Sequence, residues 1–183
     1  NICYFCNSTS ARYITIMKNR DFKVSILVST YNWPKALEQS IKSMLRQTIL
    51  PDEIVIADDG SGEETRELIK RLQKESTVPI IHVWQEDDGF RKTIILNKAI
   101  ARITGEYILQ VDGDVILSRH FVSDHLELAE KNHFVCGSRV KLDPKITDRI
   151  FETGMFPPRI WEMPLGFMAN SFRSRLLRRY MAK

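Results

Sequence analysis

Two kinds of hydrophobic pattern take turns along the middle of the chain: short unbroken apolar runs, and longer stretches in which apolar residues recur every three or four positions. Lys23 to Ser29 (KVSILVS) is the first run, too short for a helix and rich in β-branched residues, which suits a strand covered on both faces. Pro34 can open a helix, and Leu37, Ile41, Met44 and Leu45 give it one apolar face as far as Gln47. Pro51-Asp52 marks a return turn before a second strand, Glu53 to Ala57. Ser61, with Glu64 three residues on, forms a capping box for a helix through Leu68, Ile69 and Leu72. Ile80 to Trp84 is the third strand. Beyond the acidic loop Glu86-Asp87-Asp88-Gly89, Ile94, Ile95, Ala99, Ile100 and Ile103 supply the buried stripe of another helix, with Gly105 as a left-handed C-cap. Tyr107 to Val111 is the fourth strand. Ser118 is expected to cap a helix reaching about Asn132, and Phe134 to Val140 to form a fifth strand.

Strand and helix alternating in this way predict an α/β fold, with right-handed crossovers and helices on both faces of a mostly parallel sheet. After Pro144 the pattern dissolves. Pro157-Pro158, Pro164 and Gly166 predict irregular structure until a short basic helix from about Asn170 to Ala182, whose apolar face is Phe172, Leu176, Leu177, Tyr180 and Met181. The chain therefore divides into an N-terminal extension (1–22), an α/β domain (23–140) and a basic, partly irregular segment (141–183).

Composition sharpens this division. With 183 residues, 43% hydrophobic and 27% charged, one globular domain is expected, rather than a disordered chain or a disulfide-stapled miniprotein. The formal charge of +4 is unevenly placed: residues 140–183 hold nine Lys/Arg against four acids, a net of +5, which leaves the body at −1. This is a basic tail, not a nucleic-acid footprint. It has two readings: an amphipathic helix resting on anionic lipid, or a helix packed on a more C-terminal portion. No apolar run approaches the roughly 20 residues that span a bilayer, and the first residues lack a signal-peptide pattern, so the expected location is cytoplasmic, with the basic segment offering peripheral contact to the inner membrane. No Met precedes Asn1, which leaves room for residues upstream. Cys3 and Cys6 make one Cys-x-x-Cys, but tetrahedral zinc needs four ligands and Cys136 is the only other thiol. They are expected to be incidental reduced cysteines in a loose N-terminal segment.

In an open parallel sheet ligands bind beyond the carboxyl ends of the strands. Those ends carry Ser29-Thr30-Tyr31-Asn32, Asp58-Asp59-Gly60 and Asp112-Gly113-Asp114. A dinucleotide-binding domain would need a glycine-rich turn after the first strand, where Thr30-Tyr31-Asn32-Trp33 has none. Glu63-Glu64 would repel a pyrophosphate at the next helix start. No P-loop motif is present. Asp112 and Asp114 can instead offer oxygen ligands to Mg²⁺ or Mn²⁺, hard cations that keep positions open for substrate phosphates. By itself the Asp-x-Asp is weak, since strand-end carboxylates are as often turn formers or caps. His120 and His125 are five apart and miss the helical metal spacing.

The context of that pair changes its weight. Val24 to Asn32 (VSILVSTYN), Gln47-Thr48, Ile54 to Ser61 (IVIADDGS), Asn97-Lys-Ala-Ile100, Gly105-Glu-Tyr-Ile108 and Val111-Asp-Gly-Asp114 together resemble, in order and spacing, the family 2 glycosyltransferases with the GT-A fold. Asp88 to Asn97 (DGFRKTIILN) further resembles the bacterial branch that includes chondroitin-polymerase-like and polysaccharide or lipopolysaccharide transferases. The resemblance implies a GT-A, Rossmann-like nucleotide-diphospho-sugar domain. It implies that Ser29 and Tyr31 line a uracil pocket, Tyr31 by stacking or else by ordinary half-buried packing. Asp59 accepts from the base imide, and Asp58 supports the turn. Arg91 lies near base and phosphates, or is a solvated helix-start cation, while Asn97 braces the loop. Asp112 approaches the ribose or a metal-bound water, and Asp114 ligates the metal.

The implied reaction moves a hexose or N-acetylhexosamine from a UDP-sugar, with inversion and Mn²⁺ or Mg²⁺, to a glycan or lipid-linked acceptor of a bacterial surface. An inverting transferase needs a general base. No Glu-Asp follows Asp114, Ala169-Asn170-Ser171-Phe172 is a poor echo of an acceptor motif, and Glu152 and Glu162 are not assignable, so the base is expected to lie outside this chain. Two alternatives remain: a nucleotide-sugar-binding module without transfer, and a nucleotidyltransferase, against which Trp33-Pro34 argues because that class needs a glycine-rich basic loop there.

Overall fold

The computed structural model describes residues 2–3, 22–137 and 139–154. It contains β1 (Ile2–Cys3), β2 (Val24–Thr30), α1 (Pro34–Met44), β3 (Glu53–Asp58), α2 (Glu63–Glu75), β4 (Ile80–Trp84), α3 (Lys92–Ile100), β5 (Tyr107–Asp112), β6 (Ile116–Leu117), α4 (Phe121–Leu128), β7 (Arg139–Val140) and α5 (Pro144–Thr153). The described residues fall into two compact units, one of residues 22–45 and 50–115, the other of 2–3, 46–49, 116–137 and 139–154.

The first unit is built on a parallel sheet of order β4-β3-β2-β5. Every residue of β2 and β3, the two inner strands, is buried, which is why their centres, Ile26-Leu27-Val28 and Ile54 to Ala57, are unbroken apolar runs. Leu27 pairs with Val55, and with Ala57 they form the face on which Ile95 and Ala99 of α3 pack. Alternation turns Ile26, Val28, Ile54 and Ile56 to the opposite face. The crossovers β2-α1-β3 and β3-α2-β4 step one way across the sheet, whereas β4-α3-β5 returns past β2. Right-handed connections then put α1 and α2 on one face and α3 on the other. Because the strands are parallel, the carboxyl ends of β2, β3 and β5 share one edge, and the reversal makes β5 the neighbour of β2 there.

Several local expectations are corrected. The capping box does not form, because Ser61 Oγ accepts from the Asn32 N–H at 2.9 Å and α2 starts one residue after Gly62. Ile94 and Ile100 are 46% and 44% exposed, so the stripe of α3 narrows to Ile95 and Ala99. Gly105 is not a left-handed cap: α3 ends at Ile100, and Gly105 instead packs against β2, where a Cβ would strike Ser25 Oγ. The expected fifth strand from Phe134 is only Arg139–Val140, and Phe134 is 88% exposed.

In the second unit, β1 pairs parallel with β6 and antiparallel with β7, so Cys3 sits in a strand rather than in a loose segment. The helix expected from Ser118 to Asn132 is shorter, Phe121–Leu128, with His120 rather than Ser118 at its N-cap. Residues 144–153 are helical, not irregular: Asp143 accepts from the Lys145 N–H at 2.9 Å as N-cap, Pro144 opens the helix, and Gly154 at φ 62° closes it. Ile146 and Ile150 of this helix pack with Ile116. Cys6, the expected irregular stretch 157–166, the Ala169–Phe172 echo, Glu162 and the basic helix Asn170–Ala182 lie outside the described residues.

Candidate functional site

Ser29, Tyr31, Asp59, Asp112 and Asp114 line one cavity of about 300 Å³ at the carboxyl edge of the sheet. Trp33, Phe90 and Lys92 share its wall. Each aspartate is placed by a different device. After β3, Gly60 turns the chain at φ 99°, and a Cβ there would sit 2.6 Å from Asp87 Cα, so the acidic loop closes over it only because it is glycine. Asp58 is fully buried and structural: it accepts from the Ser61 N–H at 2.8 Å and lies 2.9 Å from His82 Nε2.

Asp59, 7% exposed, is held from two sides. Its Oδ1 accepts from Gln85 Nε2 and its Oδ2 from the Arg91 N–H at 2.9 Å. Gln85 is anchored in turn, donating to the Arg91 carbonyl at 3.3 Å and accepting from Lys98 Nζ at 3.1 Å. The carboxylate is oriented before any ligand arrives.

After β5, the ladder runs one residue past the strand, with the Gly113 N–H donating to the Ser29 carbonyl at 2.7 Å. A Cβ at Gly113 would lie 2.8 Å from that oxygen, which explains the small residue between the two acids. Asp112 Oδ1 accepts from Ser29 Oγ at 3.1 Å and from Lys92 Nζ at 2.6 Å. Among the described residues no group of three or more His, Cys, Asp or Glu forms a protein-only metal cage. Two strand-end carboxylates beside open space instead fit a hard cation completed by substrate oxygens, the usual arrangement for Mg²⁺.

Tyr31, 52% exposed, donates its hydroxyl to Asp87 Oδ2 at 2.8 Å, and that hydrogen bond raises the phenol above its ordinary pKa. Its ring therefore stands at the rim, fixed at the far end by the acidic loop. Arg91 reaches the site through its backbone: its guanidinium folds onto the loop, to the Glu86 carbonyl at 2.7 Å and Asp88 at 3.0 Å, and is not among the cavity-lining groups. Sequence reasoning missed Gln85 and Lys92. Gln85 follows the end of β4, so the rule that singled out the other strand ends would have found it. Lys92 opens a helix, where a lysine carries no signal of its own.

The sequence of residues 25–180 matches the family model for glycosyl transferase family 2. The chain belongs to that family. An uncharacterized glycosyltransferase of Nostoc sp. is 29% identical over 74% of this family 2 chain and 48% of its own length. Chondroitin synthase of Escherichia coli is 29% identical over 66% of the chain and 18% of its own. The chain thus spans about half, or much less, of the curated relatives it matches. Among solved structures, a mannosyltransferase from Pyrobaculum calidifontis in complex with GDP-Man and Mn²⁺ superposes with TM-score 0.55 at 24% identity, covering 61% of this chain and 34% of the other. TarS 1–349 of S. aureus in complex with UDP gives 0.52 at 24%, covering 57% and 31%. Both likenesses show the GT-A fold.

Proposed function

We propose that this family 2 chain is the donor half of a glycosyltransferase that moves a hexose or N-acetylhexosamine from a UDP-sugar, with inversion, to a growing bacterial surface glycan. The observation that carries the reading is the convergence of Asp59, Asp112 and Asp114 with Tyr31 and Ser29 on one cavity at the sheet's carboxyl edge. Tyr31 would stack on the uracil, and Asp59, pre-oriented by Gln85 and the Arg91 N–H, would accept from the base imide. Mn²⁺ or Mg²⁺ would be held by Asp114, with Asp112 beside it toward the ribose. When bound, such an ion neutralises charge developing on the leaving diphosphate. The chain's own residues bind and orient the donor: Ser29 fixes the Asp112 carboxylate, and Gly113 brings the two acids up to the β2 backbone.

A glycan or lipid-linked acceptor is supported by the likeness to chondroitin synthase. No helix among the described residues is long and apolar enough to cross a membrane. Peripheral contact with the inner membrane is proposed through the basic 141–183 segment, on the strength of its charge. We place the protein on the cytoplasmic side, where nucleotide sugars are the donors. A second reading, a nucleotide-sugar-binding module without transfer, is favoured by one observation: among the described residues the acids that line the cavity are Asp59, Asp112 and Asp114, and the roles proposed above give all three to base and metal rather than to a general base.

Calorimetric titration of UDP, GDP, CDP and dTDP in the presence of Mn²⁺ tests the donor site. UDP is expected to bind tightest, and equal affinity for all four would defeat the uridine pocket. Incubation with UDP-sugar and acceptor then separates the readings. Transferred sugar supports the enzyme, and binding without transfer supports the module.

A further inference from the structure

Lys92 occupies a position that the nucleotide pocket alone does not require. Its ammonium group lies 2.6 Å from Asp112 Oδ1, its side chain is one-third exposed, and it lines the same cavity as three aspartates. Among the described residues lining that cavity, Lys92 is the one cationic side chain. The neighbouring Arg91 points its guanidinium into the acidic loop, at Glu86 and Asp88. A diphosphate entering a cavity walled by Asp59, Asp112 and Asp114 meets repulsion unless a cation accompanies or awaits it. A lysine is suited to that part: a point charge on a flexible four-carbon stem can change partners without moving the backbone, which a buried, forked arginine cannot do.

We infer that Lys92 is an exchangeable counterion, neutralising Asp112 in the empty protein and moving to the donor diphosphate when a divalent cation takes over the carboxylates. This rests on the nucleotide-sugar reading of the cavity and names a residue for the diphosphate end of it. Because Lys92 and the cation compete for Asp112, the cation alone should bind weakly. Because Lys92 then contacts phosphate, the cation and the diphosphate should bind cooperatively.

The test compares wild type, Lys92→Met and Lys92→Arg in three titrations: Mn²⁺ alone, followed by the water-proton relaxation of the bound ion; UDP with Mn²⁺; and uridine, which has no phosphates. In Lys92→Met, Mn²⁺ alone should bind more tightly, UDP with Mn²⁺ should bind about tenfold or more weakly, the scale of one charge-assisted hydrogen bond, and uridine should bind as in wild type. Lys92→Arg should keep most of the UDP affinity. Opposite shifts for ion and nucleotide are not what a misfolded or loosened pocket gives, and the uridine titration reports on pocket integrity. Unchanged UDP affinity in Lys92→Met, or equal losses for UDP and uridine, would overturn the counterion role while leaving the nucleotide site standing. Failure of wild type to bind UDP or uridine would overturn the nucleotide reading itself, and this inference with it.

Discussion

The two ends of the parallel sheet carry the same chemical group and use it differently. At the amino edge, Asp52 exchanges hydrogen bonds with Val24, accepting from its N–H at 2.6 Å and donating to its carbonyl at 2.8 Å. Glu53, 5% exposed, accepts from Ser25 Oγ at 2.7 Å and from the Thr104 N–H at 2.6 Å. Glu106 accepts from the Lys23 N–H at 2.7 Å. These acids join β2 to the turns before β3 and β5 and are not among the residues lining the carboxyl-edge cavity. At the carboxyl edge, Asp59 and Asp112 are also hydrogen-bonded, Asp59 through both oxygens, but they line a cavity as well. A carboxylate becomes a binding group here where its bonding partners orient it at a cavity wall.

That contrast is open to direct attack. The largest effect on stability is expected at the amino edge. Glu53→Ala should cost about 3 kcal/mol, because it strands a buried hydroxyl and a backbone donor. Chemical denaturation would measure this, while UDP affinity of the folded fraction stays unchanged. Burial raises the Glu53 pKa, but the hydrogen bonds from Ser25 and Thr104 outweigh it, and the net direction is down. The stability it supplies is therefore fully present above the ordinary glutamate pKa of roughly 4.3 and is lost as pH falls through the lower native value. Denaturation midpoints from pH 6 to 3 should fall less steeply in Glu53→Gln.

At the carboxyl edge binding is lost together with stability. Asp59→Ala should weaken UDP binding by about 2 kcal/mol, roughly 30-fold. An unchanged UDP affinity would erase the distinction between the two edges. Gln85→Ala, which leaves Asp59 in place but frees one oxygen, should cost about 1 kcal/mol of UDP affinity, measured in the same titration. An unchanged affinity would mean that Asp59 does not depend on Gln85 for its orientation.

How much of this was legible in the sequence depended on element length and on the reach of each signal. β2 and β3 announce themselves because strands buried on both faces must be continuously apolar, and β4 was delimited at both ends. β1 is two residues long, and no periodicity exists at that length. The pattern looks dissolved after Pro144, although Asp143-Pro144 followed by Ile146, Ile150 and Gly154 spells a helix with its cap, first position, apolar face and stop. Ser61 failed as a cap because its hydroxyl is taken by a residue 29 positions earlier, Asn32, itself held at φ 44°. The cavity's acids could be named from strand ends and family resemblance. Gln85 and Lys92 could not be assigned by resemblance alone, since their roles are set by contacts with Asp59 and Asp112 that only the folded sheet creates.

The measurement that bears most directly on the central claim is the UDP affinity of wild type and Asp114→Ala, each with and without Mn²⁺. Mn²⁺ should strengthen UDP binding in wild type and leave it unchanged in Asp114→Ala, with the two proteins equal in metal-free buffer. Metal-independent UDP binding in wild type, or an undiminished metal effect in Asp114→Ala, would contradict a donor site built on these strand-end carboxylates.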